Sequence, residues 1–310
     1  MTGEMNNTRR SFLKSSLAIG AWAALPGVAH ALTAGSRLYP IGLQLFTVRA
    51  QLPKDYEGTL ARIAAIGYQE VEAAGFFGHS ATDVKRIMAR VGLRCVSAHY
   101  ALPDLLKPEA RIVDFAHTLG LRYVVCASPW SAHPAHLTQY PGGTWNGIQH
   151  AMTLDDWKWT AEQLQRLGER FHDAGIQLAY HTHTMSFEKH GDTDGFAVLM
   201  QGTTTEMVAL ELDCGWAVAA GQNPVELLHR YPKRIQMLHV KDMKPAKPGT
   251  PPWDYVPTEM GRGTIDYAPI LQAARKTAVK HVFVEQDDLD VPVWEALKID
   301  YRVMARIDRA

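Results

Sequence analysis

Residues 41–73 read IGLQLFTVRAQLPKDYEGTLARIAAIGYQEVEA. Ile41 to Phe46 is a short apolar run of strand character, and from about Asp55 to Ile66 the spacing turns helical, with Leu60, Ile63, Ala64 and Ile66 on one side. Gly67 stops that helix, because a residue without Cβ takes the left-handed backbone of a helix C-terminus at no steric cost. Tyr68 to Ala73 then begins a second strand. Strand, helix, glycine, strand is the repeating unit of a parallel sheet.

The unit recurs to the end of the chain. Further strands are predicted at Arg94 to His99, Arg122 to Ala127, Ile176 to His181, Met207 to Asp213, Arg234 to Val240 and His281 to Glu285. Helices fall between them, at Thr82 to Val91, Pro108 to Leu119, Leu154 to Ala174, Asp194 to Gln201, Pro224 to Tyr231, Tyr267 to Thr277 and Pro292 to Ile307. The helix stop returns at Gly92, Gly120 and Gly175, each followed by an apolar residue that opens the next strand. Eight strands alternating with eight helices predict a (β/α)8 TIM barrel, a single domain over residues 41–308. A doubly wound open sheet is the alternative, but no Gly-x-Gly-x-x-Gly follows the first strand and no phosphate loop occurs. Gly261-Arg262-Gly263 is too weak a signal for a phosphate cradle, and its backbone is left as a possible substrate contact.

The chain of 310 residues balances 32 Lys and Arg against 32 Asp and Glu, so it carries no electrostatic footprint for nucleic acid. A small neutral or weakly charged substrate fits better. Cys95, Cys126 and Cys214 are too few and too scattered for a disulfide framework or a thiolate zinc site and are expected as buried thiols.

Residues 1–31 read as an export address: a basic start with Arg9-Arg10, Phe12-Leu13 and Lys14, a mild apolar run from Leu17 to Leu25, and a small-residue site ending at Ala31. The segment resembles a twin-arginine signal peptide. The resemblance implies cleavage after Ala31, the Tat translocase as export partner, a periplasmic location and no stable membrane insertion afterwards, with residues 32–40 as linker. Two long connections, Ser128 to Thr153 and Met243 to Thr264, follow predicted strand C-termini, where barrel active sites lie, and are read as walls or lids.

Strand parity then selects the candidate chemistry. In Arg234 to Asp242, Ile235, Met237 and His239 share one face; in Leu210-Glu211-Leu212-Asp213 the acids share a face, and in Val282-Phe283-Val284-Glu285 the inward pair is Phe283 and Glu285. Asp213, His239, Glu285 and one of His181 or His183 are therefore expected to converge at the barrel mouth. Buried unpaired carboxylates are costly, and a divalent cation removes that cost. Two nitrogens with two carboxylate oxygens suit Mn2+, Zn2+, Co2+ or Fe2+ better than Ca2+ or Mg2+.

Gly42 to Arg49, Val71 to Gly75, Tyr180 to His183, Glu211 to Asp213, Leu238 to Asp242, Gly261 to Asp266 and Val284 to Asp287 occur in that order. Together they resemble the xylose-isomerase-like TIM-barrel superfamily, in particular its sugar phosphate isomerase/epimerase branch, over about residues 40 to 305. The resemblance implies one divalent metal ion, Mn2+ or Zn2+ first, held by His181, Asp213, His239 and Glu285, with His181 standing where the tagatose epimerase type has a glutamate. It implies a metal-dependent isomerase or epimerase that acts on a sugar or keto-sugar through a metal-bound enediolate. Glu285 is the candidate base, with Glu188 or Glu72 as the second acid/base group, and His99, His183, Trp216, Lys241 and Trp253 as substrate-binding residues. With one base, elimination by a lyase or dehydratase gains weight over two-face epimerisation. A non-catalytic carbohydrate-binding protein is the alternative from another class, nuclease activity is disfavoured by the charge, and a homo-oligomer is left open. A phosphorylated substrate is disfavoured, since no phosphate site is visible.

Overall fold

The computed structural model describes residues 39–107, 110–247 and 254–307. The export segment, nearly all of the linker and Trp253 lie outside the described residues. Eight parallel strands close into a barrel: β1 (Ile41–Gln44), β2 (Glu70–Ala73), β3 (Arg94–Tyr100), β4 (Tyr123–Cys126), β5 (Gln177–His181), β6 (Val208–Asp213), β7 (Ile235–Val240) and β8 (His281–Val284). Each pairs with its neighbours in the chain, and β1 closes on β8 through Ile41 opposite Val282. The predicted TIM barrel is the observed fold.

The helices form where their apolar stripes can cover the strands. Ala81–Val91 is capped by the Ser80 side chain, which accepts from Asp83 N, buries Val84, Ile87 and Met88, and ends on Gly92 at φ 78°. Leu154–Asp173 opens on a capping box between Thr153 and Asp156. Both faces of the strands are buried, as expected when helices cover the outside and side chains fill the inside.

Inside the barrel, alternate residues stack in layers along the strand direction. An apolar floor holds Val96, Tyr123, Val125, Ala179, Ala209, Met237 and Phe283. Two residues further on, β5 presents His181, β6 Glu211, β7 His239, and β8 leads to Glu285, and another step of two brings Asp213 and Lys241. Gly42 makes this filling possible, since a Cβ there would lie 2.4 Å from a Phe283 ring carbon.

The structure corrects several local expectations. The first strand stops at Gln44, whose side chain accepts from Phe46 N and turns Leu45–Val48 into a 3-10 helix. The connection from residue 128 to 153 contains two short helices, Ala135–Thr138 and Thr144–His150. The connection from 243 to 264 carries an antiparallel ribbon of Asp242–Pro245 with Tyr255–Thr258. All three cysteines are free and buried. Among the described residues no helix is long and apolar enough to cross a membrane.

Candidate active site

At the C-terminal mouth of the barrel, ligand-capable atoms of His181, Asp213, His239 and Glu285 all lie within 4.8 Å of one another. Their placement follows from the strands: β5 and β6 end on His181 and Asp213, β7 carries His239 one residue before its end, and Glu285 directly follows β8. Asp213 also caps the helix Cys214–Ala219, its Oδ1 accepting from Trp216 N at 2.8 Å. Its other oxygen, Oδ2, is buried without a hydrogen bond, although it lies 3.0 Å from Lys241 Nζ.

Lys241 is fully buried beside this cluster, with its ammonium 2.6 Å from both Glu285 Oε2 and Asp287 Oδ2. Burial alone would lower its pKa, but Asp213, Asp287 and Glu285 outweigh burial and hold it well above the usual lysine range. Burial would raise Glu285, yet Lys241 and His239 hold it well below the carboxylate range. Asp213 is pushed up to about 6 by burial, against the pull of Lys241 and His239. Asp287 is raised by burial, with Lys241 opposing.

A lower layer backs the cluster. His239 points Nδ1 at Glu285 Oε2, 3.0 Å away, and Nε2 at Glu72 Oε1, 2.7 Å away. His181 places Nδ1 2.9 Å from Glu211 Oε2, and its Nε2 lies 3.9 Å from Asp213 Oδ2. Each cluster histidine thus has a carboxylate behind it, an arrangement that fixes ring orientation in metal sites. Three carboxylates, Asp213, Glu285 and Asp287, face the Lys241 ammonium and the His239 ring, so negative charge is in excess there and a cation would reduce it. The orphaned Asp213 oxygen, the mixed nitrogen and oxygen donors and this charge fit a divalent transition metal. The structure does not select among Mn2+, Zn2+, Co2+ and Fe2+.

A cavity of about 660 Å3 opens above, lined by His99, His181, His183, Trp216, Glu285 and Asp287 among others. His183 lies outside β5, yet its ring packs edge-on against His181 at 4.5 Å between centroids. Burial and the nearby Lys241 push its pKa down to about 3, so it stands neutral over the site. Trp145, from the first long connection, meets His183 edge-on at 5.2 Å and joins the cavity wall as expected of that segment. Phe46, after β1, lines the cavity from the strand opposite β5 in the closed order.

Four expectations are corrected. Glu188 is exposed and is not among the cavity-lining residues. Glu72 is fully buried beneath the cluster, where Gln44, His99 and His239 surround it, so it does not meet the cavity. Lys241 does not reach the cavity either and pairs with Asp213, Glu285 and Asp287. The backbone of Gly261 and Gly263 is not free for a substrate, because both amides donate to Asp242 Oδ2, at 2.9 and 2.8 Å. Asp287 was passed over although it lay in a quoted motif; its parity with Phe283 and Glu285 was the available signal.

A family model described as xylose isomerase-like TIM barrel matches residues 60–295. The chain belongs to that family. Among curated proteins, it is 25% identical over 240 residues to an inosose dehydratase of Lacticaseibacillus casei, covering 72% of this chain and 78% of that one. Among solved structures, a sugar phosphate isomerase/epimerase from Parabacteroides distasonis superposes with a TM-score of 0.68 at 22% identity, covering 92% of this chain and 99% of the other. The IOLI protein, solved with a zinc atom bound, superposes with a TM-score of 0.63 at 16% identity, covering 87% of this chain and 98% of the other. These two structures speak to the fold of the family.

Proposed function

We propose that this protein is a divalent-cation-dependent lyase that eliminates water from a polyhydroxy ketone, such as a keto-sugar or an inosose. The observation that carries the reading is one-sidedness: the carboxylates lining the cavity, Glu285, Asp287 and Asp288, all come from the segment after β8. Epimerisation takes a proton from one face of a carbon and returns one to the other, which calls for groups on both walls. Here the β5 side of the cavity offers imidazoles and indoles, from His181, His183, Trp145 and Trp216. The similarity to inosose dehydratases supports the same choice.

A cation held by His181, Asp213, His239 and Glu285 would supply Lewis acidity to the substrate carbonyl and so acidify the neighbouring C–H. Asp287 is placed to take that proton, since both acids line the cavity and its side chain is 27% exposed against 7% for Glu285. Its tether to the Lys241 ammonium fixes its direction. Asp287, protonated by that step, returns the proton to the hydroxyl on the next carbon, which leaves as water, and the ketone becomes an unsaturated ketone. Trp216 and Trp145 offer apolar faces to the ring carbons, and neutral His183 offers a hydrogen bond to a hydroxyl.

Incubation with a panel of keto-polyols in deuterated buffer, read by mass spectrometry, tests this reading. A product lighter than the substrate by one water supports it. A product of unchanged formula carrying solvent deuterium instead identifies an isomerase or epimerase, and no exchange with any substrate points to a carbohydrate-binding protein.

We also propose that the chain is exported through the twin-arginine pathway and works in the periplasm, on the strength of Arg9-Arg10 and the apolar run that follows. Replacement of both arginines by lysine, followed by cell fractionation, should leave the protein in the cytoplasm; periplasmic protein in the double variant would contradict it.

A further inference from the structure

Below the cluster just described, four atoms form a closed ring of alternating nitrogen and oxygen. His99 Nε2 lies 2.9 Å from Glu72 Oε1 and 2.8 Å from Glu211 Oε2. His239 Nε2 lies 2.7 Å from the same Glu72 oxygen and 3.2 Å from the same Glu211 oxygen. Each imidazole nitrogen carries at most one proton, so these four close contacts have at most two protons among them. A proton on each nitrogen serves one good hydrogen bond apiece and leaves the remaining two contacts without a donor of their own.

The surroundings repeat the shortage. Glu72 and Glu211 are both fully buried, and Glu72 Oε2 and Glu211 Oε1 have no hydrogen-bond partner. Lys241 is engaged with Asp213, Glu285 and Asp287 in the layer above, so the charge of Glu72 and Glu211 is balanced by the His99 and His239 rings alone. A divalent cation would take over that role. Nitrogen and oxygen atoms 2.7 to 3.2 Å apart have the spacing of neighbouring ligands around a small cation whose bonds are about 2 Å long. His181 Nδ1, 2.9 Å from Glu211 Oε2, stands beside the ring as a further donor.

We propose that this ring is a second divalent-cation site, one layer beneath the first, held by His99, Glu72, Glu211 and His239. Binding there displaces the Nε2 protons of both histidines. His239 then carries its remaining proton on Nδ1, which faces Glu285 Oε2 at 3.0 Å and donates to it. A cation in the ring would therefore turn His239 from a ligand of the first site into a hydrogen-bond donor beside it, leaving His181, Asp213 and Glu285 as protein ligands there with positions open, the pattern of catalytic metal sites. The two carboxylates of the ring match the charge of one divalent ion. The donor set of two imidazoles and two carboxylates suits Zn2+, Mn2+, Co2+ or Fe2+.

Metal content of the purified protein after saturation with Mn2+ or Zn2+ and desalting tests the proposal, in wild type, His99→Gln, Glu211→Gln and Asp213→Asn. Two equivalents in wild type, falling to one in each variant, are expected, and the manganese form should show a spin-coupled resonance signal that His99→Gln loses. One equivalent kept in His99→Gln and Glu211→Gln but lost in Asp213→Asn overturns the second site and leaves the proposed function standing. One equivalent lost in the two ring variants but kept in Asp213→Asn supports the ring as a cation site and contradicts the upper one. No metal in any form overturns both. Circular dichroism of each variant separates metal loss from unfolding.

Discussion

The Lys241 ammonium lies 2.6 Å from Glu285 Oε2, so a buried lysine shares a carboxylate with the atoms grouped to hold a cation. Ammonium and a bound metal ion would therefore compete for the same charge, and Lys241 would moderate how tightly the metal is held. Lys241→Met removes the competitor and leaves three carboxylates facing one another. Without metal the variant should lose on the order of 3–5 kcal/mol of stability, the usual consequence of taking one partner from a buried ion pair. With Mn2+ it should recover more than wild type does. Thermal unfolding with and without added cation checks both, and an equal metal-induced shift in the two proteins would contradict the competition.

Asp242 fastens the second long connection to the barrel. Its carboxylate accepts from four backbone amides, Met243, Gly261, Gly263 and Ile265, at 2.8 to 3.0 Å. Asp242→Ala leaves these donors without their acceptor and should cost on the order of 3 kcal/mol or more. Asp242→Asn retains part of the acceptor capacity and should cost less. Urea denaturation ranks the two; equal stability would show that the loop does not depend on this carboxylate.

Asp300 predicts a pH dependence away from the metal cluster. It is fully buried, accepts from Met260 N at 2.7 Å, and burial raises its pKa from the ordinary 3.8 to about 7. Between those values the folded state holds a proton that the unfolded state does not, so stability falls as pH rises through this window. The loss amounts to on the order of 4 kcal/mol at its upper end. Asp300→Asn, neutral at every pH, should be more stable than wild type at pH 8 and should show a flatter stability profile between pH 5 and pH 8. A profile parallel to that of wild type would contradict the assignment.

The wall contributed by Trp145 predicts a split in the kinetics. The residue is 44% exposed, and its ring packs edge-on against His183. Trp145→Ala removes apolar contact with the substrate but no group that moves a proton, so KM should rise by about three- to tenfold while kcat stays within about twofold. A fall in kcat with KM unchanged would place Trp145 in the chemistry and not in the wall.

The fold was legible because periodicity and helix-stopping glycines are local signals, and Gly67, Gly92, Gly120 and Gly175 mark helix ends in the structure as in the sequence. The convergence of His181, Asp213, His239 and Glu285 was legible from strand parity and strand ends. Parity does not give depth, however. Glu72 and Glu211 carry the right parity but sit buried a layer below the mouth, so parity alone does not separate a buried support from an acid/base group. Glu188 failed for the opposite reason: β5 ends at His181 and the chain leaves the barrel through the turn Thr184–Phe187, carrying it to the surface. The pairing of Lys241 with acids from β6 and from the segment after β8 is long-range and has no signature in sequence spacing.

The most direct test of the account is the rate at which chelator-treated, mature protein dehydrates an inosose or other keto-polyol as Mn2+ is restored, measured beside Asp213→Asn. The account predicts no activity after chelation, recovery in wild type that saturates with bound cation, and no recovery in Asp213→Asn. Full dehydration by the chelated protein, matched by Asp213→Asn, would contradict it.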